Sequence, residues 1–159
     1  MAAEDGKFLT FELGDQLYAI DISYIKEILN GCGNISPVPE FPDYSRGIVN
    51  LRGDIVPIID MRRRFNLPEF TDLRKVCIIV TESKGAAGSD YLGFAVDKVD
   101  EVNDFVGAEI SPAPKISSAT SKYVTGVYKA DGKIIMILDP VLLLTDSMVE
   151  AIDKYMGNK

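Results

Sequence analysis

An eight-residue stretch in the first half of the chain, Gly53-Asp54-Ile55-Val56-Pro57-Ile58-Ile59-Asp60, returns near the end as Gly132-Lys133-Ile134-Ile135-Met136-Ile137-Leu138-Asp139. Three further pairs follow in the same order. Ala19-Ile20-Asp21 returns as Ala95-Val96-Asp97, Ser36-Pro37-Val38-Pro39 as Ser111-Pro112-Ala113-Pro114, and Gly47-Ile48-Val49 as Gly126-Val127-Tyr128. A period near half of a 159-residue chain points to two copies of one small unit. A unit of about 70 residues holds little core alone, so the copies are expected to pack on a shared apolar seam.

The local pattern inside the repeat is that of short strands and turns. Lys7 to Leu13 alternates, Gly14-Asp15 turns, and Gln16 to Ile22 returns as a hairpin. Ser23 to Leu29 stays open between helix and strand: Tyr24, Ile25, Ile28 and Leu29 have helical spacing, but the segment is short and Gly31 closes it. The prolines between Ser36 and Pro42 exclude a central strand. Gly47 to Leu51 and Ile55 to Asp60 form a second hairpin, with Gly53 supplying the positive φ of the turn. Asp60 then N-caps a short helix, Met61 to Leu67, stopped by Pro68. Lys75 to Thr81 pairs with Tyr91 to Val96 across the loop 84–90, and Val99 to Val106 continues as strand. Val124 to Lys129 and Lys133 to Asp139 flank Asp131-Gly132, a strong hairpin signal. Ser147 to Glu150 is a capping box that opens a C-terminal helix over 147–156. Strands this short favour small closed barrels. The expected fold is mainly β, with two barrel subdomains over roughly 14–82 and 90–140. The N-terminal strand and the C-terminal helix are expected to pack across them.

Composition removes several functions. The chain has no histidine, which excludes Ser-His-Asp and Cys-His catalysis and histidine-based zinc sites. Its two cysteines, Cys32 and Cys77, are too few for a disulfide framework or an all-cysteine zinc site. Reduced thiols are expected, with Cys77 acting as a small hydrophobe in a strand and Cys32 in a loop. Seventeen basic against 24 acidic side chains give a net charge of −7, which disfavours nucleic acid. The apolar runs Ile55 to Ile59 and Ile134 to Leu138 fall far short of the roughly 20 residues that span a bilayer. The polar N-terminus lacks a signal-peptide pattern, so a cytoplasmic protein without cofactor or metal, acting on other proteins, is expected.

Four aspartates, Asp21, Asp60, Asp97 and Asp139, end apolar strands. Paired carboxylates could serve a small carboxylate-dependent hydrolase. Capping accounts for Asp60 and for Asp139, which precedes Pro140, while Asp21 and Asp97 read as turn residues. The run Arg62-Arg63-Arg64 reads as a solvated face. Arg52-Gly53-Asp54 spells an adhesion tripeptide, but the turn reading is preferred. Glu27 and Arg52 lie among apolar neighbours and would want counter-ions. A salt bridge between them and a role in presenting a binding groove are compatible readings.

The stretch from Arg46 to Arg62, RGIVNLRGDIVPIIDMR, resembles the signature of the CheW family, the coupling proteins of bacterial chemotaxis. So do Gly14 to Ile22 with Ile25 to Ile28, Gly93 to Val102, and Ile110 to Pro114. The resemblance runs from about Lys7 to Met156. It implies two pseudo-repeated, five-stranded SH3-like barrels and an adaptor rather than an enzyme. Its implied partners are methyl-accepting chemotaxis receptors and the regulatory domain of the histidine kinase CheA, at receptor arrays on the inner face of the membrane. An adaptor of another chemosensory system, such as one controlling pili, is the alternative within the class. Carried over by position, the receptor-binding groove between the barrels would comprise Ile25, Glu27, Gly47, Arg52, Val76, Cys77, Val99 and Val102. Kinase contacts would fall at Ile35, Val38, Ser111 and Ile116.

Overall fold

The computed structural model describes residues 6–31, 35–85, 88–112, 123–143 and 146–155. It is mainly β. The strands are β1 (Gly6–Leu13), β2 (Gln16–Asp21), β3 (Ile25–Asn30), β4 (Ser45–Leu51), β5 (Asp54–Asp60), β6 (Cys77–Gly85), β7 (Gly88–Val96), β8 (Lys98–Phe105), β9 (Ile110–Pro112), β10 (Val124–Ala130) and β11 (Lys133–Leu138). Two α-helices, α1 (Met61–Arg64) and α2 (Asp146–Tyr155), accompany short 3₁₀ turns. The open segment after β2 resolves into one such turn, Ile22–Tyr24, and then strand β3. Along β3, half-buried residues alternate with exposed ones, so strand periodicity outweighs the helical spacing. The expected loop 84–90 is mostly strand, with Gly85 paired to Gly88.

The chain forms two compact units. Unit 1 comprises 1–24 and 98–143, and unit 2 comprises 25–97 and 144–159. Unit 1 holds a six-stranded sheet in the order β8-β1-β2-β11-β10-β9, and unit 2 a five-stranded sheet in the order β3-β6-β7-β5-β4. The units are therefore interleaved, unlike the successive stretches 14–82 and 90–140. The reason lies in the pairing. The hairpin β1–β2 of the first repeat joins β8 and the parallel strand β11 of the second. The hairpin β6–β7 of the second joins β3 and the parallel strand β5 of the first. A parallel neighbour cannot follow through a tight turn, so each hairpin takes its partner from the far repeat.

The repeat is visible residue by residue. Gly47 lies opposite Ile58 in β4–β5, and Gly126 opposite Ile137 in β10–β11. Each glycine follows a shift in register, a bulge present in both copies. Ser36 exchanges two backbone hydrogen bonds with Ile48, at 2.8 and 2.9 Å. Ser111 pairs with Val127 at the matching place. Ser36 and the pair Ser111-Pro112 thus lie along β4 and β10, against the two glycines. Gly47 has φ +120°, and a Cβ there would sit 2.0 Å from the Ser36 carbonyl oxygen.

Each sheet coils around a core to which all its strands contribute. In unit 2, Val56 and Ile58 of β5, Ile78 and Val80 of β6 and Ala95 of β7 are buried, with Leu29 of β3 and Val49 and Leu51 of β4 packed on them. In unit 1, Phe105 of β8 stacks on Phe8 of β1 (4.8 Å between centroids) and on Tyr128 of β10 (4.0 Å). Because β8 ends the sheet and β10 lies near the other end, these rings join strands that a flat sheet would hold apart.

Gly47→Ala is expected to cost at least about 3 kcal/mol, because the backbone conformation and the Ser36 carbonyl both oppose a side chain. Gly53→Ala, with φ +91° but open space, is expected to cost only about 1 kcal/mol. Denaturant unfolding of the two variants checks the contrast.

Candidate functional site

Arg52 sits at the tip of the β4–β5 hairpin with φ +53°, followed by Gly53 at +91°. Positive φ at both central residues is the turn that suits a twisted two-residue hairpin, and Asn-Gly or Asp-Gly is its usual sequence. The second repeat obeys this with Asp131 and Gly132, at +51° and +76°. An arginine in that place costs about 1 kcal/mol of backbone strain. Its guanidinium donates to both carboxylate oxygens of Glu27, at 2.6 and 3.4 Å. The pair links the turn after β4 to β3, the two edges of the five-stranded sheet. Arg52 is 73% exposed and Glu27 22% exposed, so the ion pair contributes no more than about 1 kcal/mol. The strain and the gain roughly cancel. Stability does not explain an arginine here.

The other expected groove residues of unit 2 fall into two groups. Ile25 is half-buried on β3, and Cys77 is half-buried on β6 with its thiol 3.8 Å from the Asn30 amide oxygen. Val76 and Gly47 are buried. Val76 belongs to the core, and Gly47 seats the Ser36-Pro37 segment, so both act from beneath the surface. Of the expected kinase residues, Ile35 packs half-buried on the same core and Val38 is buried, which leaves little of either for a partner. In unit 1, Val99 is half-buried on the edge strand β8, Val102 is exposed there, and Ser111 is exposed on β9. Ile116 and Cys32 lie outside the described residues.

The arginine run is not a solvated face. Arg62 grips Asp97 through two hydrogen bonds of 2.7 Å and also donates to the Pro68 carbonyl. Arg63 donates to Glu69 and to the Asp43 carbonyl, and Arg64 lies over the Tyr44 ring. Arg63 and Arg64 border a cleft of about 810 Å³, where Glu69 answers the first and the Tyr44 ring the second. The hydrogen bond from Arg63 holds the Glu69 carboxyl below its usual range. Glu69 therefore adds a small stabilisation above the ordinary carboxylate range that is lost as the pH falls through its lowered value. Asp60 caps α1 as expected, accepting from the Arg63 backbone N–H. It is also fully buried and bonded to Arg46 at 2.8 Å, a partner that sequence reading missed. Asp97 is likewise more than a turn residue. The helix ends at Arg64 rather than at Leu67. Asn66 has φ +58°, and the Leu67 N–H closes on the Arg62 carbonyl.

A model of the CheW-like domain matches residues 7–148. The chain is 34% identical to the chemotaxis protein CheW of Treponema pallidum, over 87% of this chain and 83% of that one. It is 31% identical to the chemotaxis protein CheW of Klebsiella aerogenes, over 92% and 86%. The crystal structure of the scaffolding protein TtCheW from Thermoanaerobacter tengcongensis superimposes with a TM-score of 0.77 at 31% identity, covering 92% of this chain and 96% of the other.

Arg46→Met removes the nearest counter-ion of buried Asp60 and leaves Arg63 at 3.6 Å, so it is expected to destabilise by about 2 kcal/mol. Arg52→Asn relieves strain as it removes a weak pair, and should change stability by less than about 0.5 kcal/mol. Denaturation midpoints of the two proteins read the difference.

Proposed function

The chain belongs to the CheW-like domain family, and on that premise we propose how it serves as a chemotaxis coupling adaptor: it links methyl-accepting receptors to the histidine kinase CheA. Receptors would be met through the exposed Arg52 tip with Glu27 and Ile25, together with Cys77, Val99 and Val102. The regulatory domain of the kinase would be met near the two proline segments, through Ser111 and Ile116, with Ile35 and Val38 supporting the first segment from its packed side. The observation that carries this reading is Arg52 itself. It is a strained and largely exposed arginine, aimed by Glu27, whose presence stability does not account for. Aliphatic anchors beside such a polar contact suit the groove mode of helix recognition. The proposed setting is the cytoplasm, at receptor arrays on the inner face of the membrane. Among the described residues no helix is long and apolar enough to cross a membrane.

Two of the four aspartates of the hydrolase alternative are poorly placed for acid–base work. Asp60 is fully buried and Asp97 is held at two points by Arg62, so neither carboxylate is open to a substrate.

Arg52→Asn is expected to lower co-sedimentation with receptor cytoplasmic fragments and kinase at least about fivefold, equivalent to ~1 kcal/mol, with an unchanged melting temperature. Full co-sedimentation by the folded variant would overturn the placement of Arg52 in the groove.

A further inference from the structure

The two repeats end their parallel strand pairs alike and finish them differently. In unit 2, β5 and β7 deliver Asp60 and Asp97, and arginine answers both: Arg46 for Asp60 and Arg62 for Asp97. In unit 1, β11 and β2 run parallel with Ile137 beside Ala19. Asp139 and Asp21, each two residues further on, therefore close neighbouring strands. The repeat puts Val141 where unit 2 has Arg62, Leu142 where it has Arg63, and Thr125 where it has Arg46. Each aspartate accepts one backbone hydrogen bond, Asp21 from Ser23 at 2.9 Å and Asp139 from Val141 at 3.0 Å. Among the described residues, the ion pairs found include neither. Around them Val141 (51%), Leu142 (44%) and Ile22 (36%) are exposed. The charge of Asp139, then burial, then the charge of Asp21 push the Tyr24 phenol above its usual pKa, a sign of negative potential at this end of the unit.

Like charges at the ends of paired strands destabilise unless a cation meets them. Unit 2 supplies that cation from its own chain, and among the described residues unit 1 presents aliphatic side chains in its place. We propose that this end of unit 1 is a docking surface for a partner-protein segment that presents an arginine among aliphatic residues. Its guanidinium is received by Asp21 and Asp139, and its aliphatic side chains rest on Ile22, Val141 and Leu142. Arginine is favoured over lysine because its planar fork matches two carboxylate oxygens, as Arg62 does on Asp97. This surface does not depend on the groove assigned to Arg52.

The probe is a short amidated peptide, acetyl-Leu-Arg-Leu-Leu, titrated into the isotope-labelled full chain and followed by backbone amide shifts. Saturable shifts at Ile22, Tyr24, Val141 and Leu142 are expected. They should weaken at least about tenfold when citrulline replaces the arginine, or in Asp21→Asn. Val141→Arg copies the arrangement of Arg62, so it should raise the melting temperature and abolish the shifts. Equal responses to the arginine and citrulline peptides, or no response, would overturn the proposal. So would a Val141→Arg protein that is no more stable than the parent. Shifts at the same amides on concentrating the chain alone would assign the face to a second copy, and would overturn it equally.

Discussion

Two parallel pairings, β2 with β11 and β5 with β7, hold the rest of the structure in place. Each joins strands from different repeats, and each lies inside its sheet. Without them unit 1 would be left as the hairpin β1–β2 with β8, apart from β9–β11, and the aromatic stack from Phe8 through Phe105 to Tyr128 would have no frame. Unit 2 would lose the seam that sets Ile58 beside Gly93. Loop-closure cost rises only slowly with length, so exchanging hairpins between repeats costs little in stability. It does make both units depend on contacts distant in sequence, which slows folding.

On this exchanged framework the duplication has kept backbone geometry and released charge. The bulge before Gly47 recurs before Gly126, and the bridge from Ser36 to Ile48 recurs between Ser111 and Val127. Both hairpin tips hold a non-glycine residue at positive φ. What stands on those positions differs. Arg52 reaches Glu27, whereas Asp131 takes the same backbone conformation with a residue that suits it. Arg62 closes on Asp97, whereas Val141 leaves Asp21 without an arginine. Close approach and backbone strain constrain the first set of positions. The second set faces outward, where substitution has little effect on the core and the partner sets the requirement.

The hairpins, the two tips, the cap at Asp60 and the repeat were legible because turns and caps depend on a few neighbouring residues. Other features were not. Helical spacing in Ser23 to Leu29 competed with a strand, and only the register with β6 settles the segment as β3. The run Arg62 to Arg64 looked like a solvated face because Asp97, Glu69 and Tyr44 come to it through tertiary structure. Comparing repeat positions could have signalled this, since Arg62 and Val141 occupy the same place and differ in charge. Val76 and Val38 carried the right chemistry for a contact surface, but their burial depends on what packs over them.

By itself the sequence determined that the chain is duplicated, mainly β, and built from short strands around turns whose glycines take a positive φ. These are properties of neighbouring residues and of a pattern repeated along the chain. Only the tertiary structure decided which hairpin joins which sheet, that Arg52 meets Glu27, and that Asp60 and Asp97 are met by arginines while Asp21 and Asp139 are not. Those outcomes depend on pairing between strands far apart in the chain, where burial and register act together.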